Sequence, residues 1–222
     1  MTALLRYQAA LLLRSQRWLA PVLLYGIFLA VGAGSGDPVL DSLGYAAAAL
    51  LPVAAWLVRI CVNQEPAAAR DCVAAATSPR RGHLASLGVA AGCAALLGCA
   101  GTLVITLISS PTDTSHQVAV PLFPAGVAGL LASFVCALTG AAAGAVLTRP
   151  VLHGRGWSVA ATSLAALLLL VTEGSPARSA VYGLVSGSRT GTVHTPVLPL
   201  LFAVLVAALA ATGASALAAR RG

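Results

Sequence analysis

Six long apolar segments dominate the sequence, separated by short stretches rich in Gly, Pro and Ser. Crossing a bilayer as a helix takes about 20 mostly apolar residues. Only 9% of the residues are charged, too few to cover the surface of a soluble domain of this length. The sequence therefore predicts an all-α, polytopic membrane protein, a single transmembrane domain over residues 1–222. Its six transmembrane helices are expected at Trp18–Gly34, Tyr45–Val62, Leu84–Ser109, Pro121–Leu147, Trp157–Val171 and Pro196–Ala219.

The thirteen arginines, unaccompanied by any lysine, predict the orientation of these helices. With the N-terminus inside, only Arg178 and Arg189 fall on the external side. The remaining arginines flank the membrane on the cytoplasmic side: Arg6, Arg14, Arg17, Arg59, Arg70, Arg80, Arg81, Arg149, Arg155, Arg220 and Arg221. This asymmetry predicts both termini in the cytoplasm. The Ala- and Arg-rich composition suggests a bacterial plasma (inner) membrane, and arginines spread over loops do not predict nucleic-acid binding.

The segment before the first span has the pattern of an amphipathic helix. Arg6 and Arg17 share one face, and Arg14 adds a third positive charge. The other face carries leucines at helical spacing: Leu4, Leu5, Leu11 and Leu12. Residues 1–17 are therefore expected to form a basic interfacial helix on the cytoplasmic leaflet. The alternative is a simple extension of the first span whose arginine side chains reach outward to water.

The longest cytoplasmic connection, residues 63–83, combines charges with an alanine-rich stretch. Pro66 suits the first turn of a helix, the alanines favour it, and Pro79 ends it. Glu65 would lie near the positive start of that helix. A short, charged, exposed helix is one interpretation of this segment, and a solvated connector is the other.

The external connection, residues 172–195, is long and only weakly polar. Its most apolar part, Ala180–Val185, is too short to cross a bilayer. Backbone that enters a membrane without crossing it survives only when protein buries it or when it lines a cavity. A re-entrant element beside a pathway and an ordinary surface loop both fit this segment.

The chain lacks the residues that several classes of protein function require. A phosphate-binding loop needs a lysine, and this chain has none. The acidic residues and histidines lie in loops or at the ends of spans, which disfavours ion-coupled transport, a channel, intramembrane catalysis and a metal site. No pair of the cysteines has CxxC spacing. No enzyme activity and no cofactor are therefore predicted.

The layout resembles the membrane subunit of ABC-2-type exporters. The resemblance is concentrated in the basic segment from Leu4 to Trp18, similar to that family's connecting helix, and in Glu65–Asp71, at the position of its coupling helix. It implies a permease that dimerises, as a homodimer or with a paralogous permease, around a central pathway in the lipid bilayer. A separate ATP-binding cassette subunit would hydrolyse ATP and dock at Glu65, Arg70 and Asp71.

A second class of function stays open: a non-transporting anchor, regulatory or immunity subunit of a membrane complex. A polar stripe along the spans would favour transport, whereas a uniformly apolar interior would favour anchoring. The sequence offers scattered hydroxyl groups for such a stripe, at Thr102, Thr106, Ser133 and Thr139. Each could instead bond to its own helix backbone.

Overall fold

A computed structural model describes residues 1–147 and 155–221, and these two ranges are built from helices without any strand. Arg149 and most of the predicted connection around it lie outside the described residues. The helices are α1 (Thr2–Ser15), α2 (Leu19–Gly32), α3 (Val39–Asn63), α4 (Ala67–Ala76), α5 (Pro79–Ile108), α6 (Leu122–Leu147), α7 (Arg155–Val171), α8 (Pro176–Thr190) and α9 (Val197–Arg221). The all-α prediction is confirmed for the described part of the chain.

Four of these helices, namely α3, α5, α6 and α9, are long and apolar enough to cross a membrane. The pair α7 and α8, bent by 49° at a short break, supplies a fifth candidate if the two count as one span. Helix α2 is apolar but has only 14 residues, a length of about 21 Å against a hydrocarbon core of about 30 Å. By length and composition the described residues therefore contain four or five candidate spans, and a sixth stays a prediction.

Helices α3 and α6 form the centre of the bundle because two glycines allow their backbones to approach closely. A Cβ atom on Gly144 would lie 2.8 Å from the carbonyl oxygen of Ala55, and one on Gly140 would overlap the carbonyl oxygen of Leu51. Spacing of small residues by four positions permits this kind of contact. These glycines therefore serve packing within the chain.

The core divides into two hydrophobic clusters, one toward each end of the bundle. The cluster at the end where α3 begins, called the loop end, includes Val39 and Ala203. The cluster at the opposite end, called the α4 end, includes Leu12, Cys61 and Ala214. Helix α9 therefore runs from the loop end to the α4 end, where α1 also packs, so both terminal helices meet at one end of the bundle.

Helix α2 runs alongside α3 despite its short length. Residue Leu12 packs at the α4 end, whereas Asp37, five residues after α2, lies at the loop end and its carbonyl oxygen accepts from Ser110 N at 2.9 Å. Between these points Tyr25 is buried, with its hydroxyl against Gly101 of α5. The chain from α1 to α3 therefore passes from one end of α3 to the other.

The predicted external connection contains a regular helix, α8. Pro176 lies in its first turn, and Gly191, with φ of 68°, ends it in the left-handed conformation that glycine adopts most easily. The buried residues Ala177, Ala180 and Leu184 recur at helical spacing and join the loop-end cluster. The segment is therefore a packed element rather than an irregular surface loop.

Candidate coupling site at the α4 end

The connection between α3 and α5 folds into the predicted short helix. Pro66 precedes α4, and its carbonyl oxygen accepts from Arg70 N at 3.0 Å. Ser78 then begins α5 as its N-cap, its hydroxyl oxygen accepting from Arg81 N at 3.3 Å. Val73 of α4 lies against Gly82 of α5, which fixes α4 against the start of that long helix. Helix α4 thus follows α3 in the chain and packs against the start of α5.

A cluster of polar side chains joins α1 to the end of α3. Gln8 Nε2 donates to Glu65 Oε2 at 3.3 Å, and Gln64 Nε2 donates to Gln8 Oε1 at 3.0 Å and to the Gln8 carbonyl oxygen at 3.3 Å. The Gln8 side chain is almost fully buried. We call these three residues, together with Tyr7, the α1 latch. Since a buried amide is stable only with partners, Gln8 fixes how α1 lies on the bundle.

Tyr7 completes the latch from the same helix. Partial burial, the negative charge of Glu65 and a hydrogen bond to the Glu65 side chain all raise the pKa of the Tyr7 phenol above its ordinary value. The phenol therefore stays protonated and neutral beside the carboxylate. On the other side, Arg70 Nη2 donates to the Glu65 carbonyl oxygen at 3.1 Å and ties α4 to the same point.

The latch leaves two acceptor atoms without a hydrogen-bond donor among the described residues. Both are buried: Glu65 Oε1 and Gln64 Oε1. Acceptors without donors do not constitute a catalytic group, and the described residues contain no cluster of three or more His, Cys, Asp or Glu that could hold a metal ion. The hydrogen bonds of the latch connect α1 to the end of α3.

The structure separates the three residues expected to contact an ATPase. Arg70 and Asp71 are exposed on α4, as expected. Glu65 is only partly exposed, and its carboxylate faces α1 instead of the surrounding solution. The reason is that it lies before α4, at the end of α3, where α1 packs. Within this structure the partner of Glu65 is Gln8.

The arginines of the N-terminal helix follow the predicted face. Arg6, Arg14 and Arg17 are all exposed, and the buried positions of α1 are Gln8 and Leu12. Gln16, with φ of 54°, ends α1 before α2 begins. Residues 1–17 are therefore not a straight extension of the first predicted span.

Sequence reasoning missed Gln8 and Gln64. A signal was present for Gln8, because it lies three residues after Leu5 and four before Leu12, on the leucine face of α1. A polar residue within an apolar stripe indicates a buried partner. Which residue supplies the partner depends on a contact between positions 57 apart in the chain.

Hydroxyl groups inside the bundle do not form a polar stripe among the described residues. Thr139 bonds to the carbonyl oxygen of Val135 in its own helix, and Thr106 does the same with Thr102 at 2.8 Å. Thr102 Oγ1 and Ser133 Oγ lie 3.3 Å apart across α5 and α6. Most other buried side chains of the described bundle are apolar.

The loop end has its own polar cluster, between α5 and α6. Asp113 is buried, and its carboxylate accepts from the Ser115 hydroxyl and from the backbone amides of Gln117 and Val118 at 2.8 and 3.0 Å. The hydrogen bond from Ser115, followed by those from the backbone amides, lowers the pKa of the Asp113 carboxyl below its ordinary value. Thr114 continues the cluster to Ser188 of α8 at 3.1 Å. These bonds hold the loop against α8.

Comparison of the chain with protein-family models, with curated proteins and with solved structures finds no match to any of them. The assignment of a function therefore depends on the geometry alone.

Proposed function

We propose that the chain is the membrane-spanning permease subunit of an ATP-driven exporter of the ABC-2 type. In this proposal it has six spans with both termini in the cytoplasm of a bacterial plasma membrane. The position of α1 and the end of α9 at one end of the bundle supports an even number of crossings. The arginine asymmetry supports placing that end in the cytoplasm.

The observation that carries the proposal is the attachment of α4 to the bundle. Helix α4 presents Arg70 and Asp71 outward, while Arg70 also bonds to the end of α3 and Val73 packs on the start of α5. A force applied to an exposed helix held in this way moves the attached spans as a rigid body. The α1 latch extends the attachment to the N-terminal helix. This is the mechanical arrangement that an ATPase needs to drive a bundle.

A second candidate function, a non-transporting anchor or regulatory subunit, is favoured by one specific observation. The described interior of the chain is mostly apolar, and its mid-helix hydroxyls Thr102, Thr106, Ser133 and Thr139 bond to helix backbone or to each other. Under the exporter proposal the pathway lies between two chains. Under the anchor proposal no pathway is required, and α4 would bind a partner without transmitting motion.

The test is to purify the tagged full-length protein from its host in mild detergent and to identify the subunits that copurify. We expect a stoichiometric ATPase subunit. The double variant Arg70→Glu/Asp71→Arg should lose it, because both exposed charges are reversed, while membrane insertion is unchanged. The matched control is Arg14→Glu, which reverses an exposed charge on α1.

The double variant keeps the net charge of the chain, so loss of the ATPase in the control as well would show that binding is not specific to the α4 surface. Copurification of a partner without ATPase activity would favour the anchor proposal. Unchanged substrate-coupled ATP hydrolysis in the double variant would refute the assignment of Arg70 and Asp71.

A further inference from the structure

The break between α7 and α8 is encoded locally. Gly174 has φ of 87°, a conformation open to glycine and strained for most other residues, and Pro176 begins the next helix. The chain bends by 49° between the axes of α7 and α8, across residues 172–175. The break is therefore a built feature of the chain rather than a frayed helix end.

The position of α8 against α3 determines how deep this break lies. Gly187 of α8 lies against Leu40, and Gly44 of α3, one turn further along, lies against Leu184 and Val185. Helix α8 therefore runs antiparallel to α3, with its C-terminal end at the loop end. Pro176 lies 11 residues before Gly187, which is about 16 Å along the axis of α8.

That distance places the break inside the bilayer that α3 spans. Helix α3 has 25 residues, a length of about 37 Å, only slightly more than the hydrocarbon core of about 30 Å. A point about 16 Å along it from Leu40 lies beside the middle of the helix. The sequence alone left a re-entrant element and a surface loop both open for residues 172–195, because only the packing against α3 reveals their depth.

Two side chains of opposite charge lie at the break, Glu173 within it and Arg178 in the first turn of α8. Arg178 Nη1 lies 3.2 Å from Glu173 Oε1, and the side chains are 36% and 90% exposed, respectively, in the single chain. The surface leading to them along α7 is an exposed apolar stripe at helical spacing: Leu164, Leu167, Leu168 and Val171. Charged side chains inside a membrane face protein or water rather than lipid. A nearly fully exposed carboxylate at this depth therefore requires cover that the single chain does not supply.

We propose that a second copy of this chain covers the break, in a two-fold dimer in which Glu173 of each copy faces Arg178 of the other. A two-fold axis along the bilayer normal brings the same surface of both copies together at one depth. Because each surface carries one negative and one positive charge, it is complementary to itself. The stripe along α7 forms the apolar part of this interface. The inference rests on the dimer in the proposed function and does not depend on an ATPase.

The charges allow a test in which the two copies are distinguished. Two differently tagged full-length chains are co-expressed, and their association is measured by copurification from solubilised membranes. Glu173→Arg gives a surface with two positive charges, and Arg178→Glu gives one with two negative charges. Each variant should associate with itself at least about tenfold less than the original chain does, because like charges face each other across the interface.

Co-expression of Glu173→Arg with Arg178→Glu is the decisive combination. Within each variant chain the pair remains broken, but across the interface every positive charge meets a negative one. Association should therefore be restored between the two variants. Restoration only when both substitutions are in the same chain would show that the pair acts within one chain and would overturn the proposal. Unchanged self-association of the single variants would overturn it as well.

A crosslinking measurement tests the interface even if a charge variant fails to accumulate. In a chain with its five cysteines replaced, Leu168→Cys should crosslink to its second copy in native membranes. The control is Leu205→Cys on α9, which is similarly exposed, at 58% against 53%. Crosslinking of Leu205→Cys in preference to Leu168→Cys would place the interface elsewhere and refute the inference. A dimer through α7 without a copurifying ATPase would contradict only the exporter proposal, whereas an ATPase-bound dimer that forms through another surface would contradict only this inference.

Discussion

Replacement of Gln8 by alanine should release α1 from the bundle. The substitution removes the donor to Glu65 Oε2 and the acceptor for Gln64 Nε2, two hydrogen bonds of which one involves a charged group. Such bonds contribute about 0.5–1.5 kcal/mol when neutral and about 1.5–3 kcal/mol when charged. Since Glu65 is only partly buried, we expect a loss near the lower limit, about 2 kcal/mol. The population of detached α1 then rises about 30-fold.

Trypsin provides a direct assay, because a chain without lysine is cut only after arginine. Arg14 lies in the last turn of α1 and becomes a good substrate only when the helix opens. In the regime where reclosing is faster than cleavage, the rate follows the open population. Gln8→Ala should therefore be cleaved after Arg14 about 30-fold faster in detergent or nanodiscs. The control, Ala10→Gln, places a glutamine on the exposed side of the same helix and should change the rate little.

A double-mutant cycle identifies the partner. If Gln8 acts through the carboxylate, Gln8→Ala should have a much smaller effect in a Glu65→Ala background, with a coupling energy of about 1 kcal/mol or more. An unchanged cleavage rate in Gln8→Ala would refute the reasoning and show that Leu12 packing alone holds α1. Equal effects of Gln8→Ala in both backgrounds would show that its bond to Glu65 contributes nothing.

Two further predictions concern the rest of the fold. Gly140→Ala should lower the free energy of unfolding in detergent by about 1–3 kcal/mol, because the new Cβ would overlap the Leu51 carbonyl oxygen. The control Gly92→Ala, whose Cβ meets open space, should be neutral or stabilising. Equal melting temperatures of the two variants would contradict this prediction. The pKa of the Asp113 carboxyl is lowered in the folded state, so the ionised carboxylate stabilises the fold. This contribution to the free energy of unfolding is complete above the unfolded pKa of about 3.9 and is lost as the pH falls through the lower folded pKa. The melting temperature should therefore fall in that acidic range, and Asp113→Asn should remove this part of the pH dependence; a variant with the same acid sensitivity would show that other carboxyls cause it.

Local patterns in the sequence predicted those helices whose formation depends on residues close together in the chain. The apolar segments mark α3, α5, α6 and α9, since composition over about 20 residues decides whether a helix can lie in lipid. Pro66 and the following alanines marked α4 correctly. The first apolar segment was expected to be longer than the 14-residue α2, because hydropathy does not register the turn after Gln16 or the end at Gly32.

Residues that meet across long separations in the chain were beyond local patterns. Gln64 and Glu65 looked like parts of a polar connection, yet they bind a residue of α1. Glu65 accepts a hydrogen bond from Gln8 within the chain, and its contact with an ATPase stays a prediction. A periodic pattern shows that one face of a helix is apolar, but it carries no information about which helix covers that face.

By itself, the sequence determined that this chain is helical, apolar and suited to a membrane, and it offered a short helix after Pro66 as one of two interpretations. These properties follow from composition and from contacts within one or two helical turns. Only the tertiary structure decided that α1 is latched to the end of α3, that α3 and α6 meet at glycines, and that α8 packs against α3 and carries Arg178 beside Glu173. The physical reason is that each of these contacts joins residues brought together by packing of whole helices, whose relative positions no local propensity specifies.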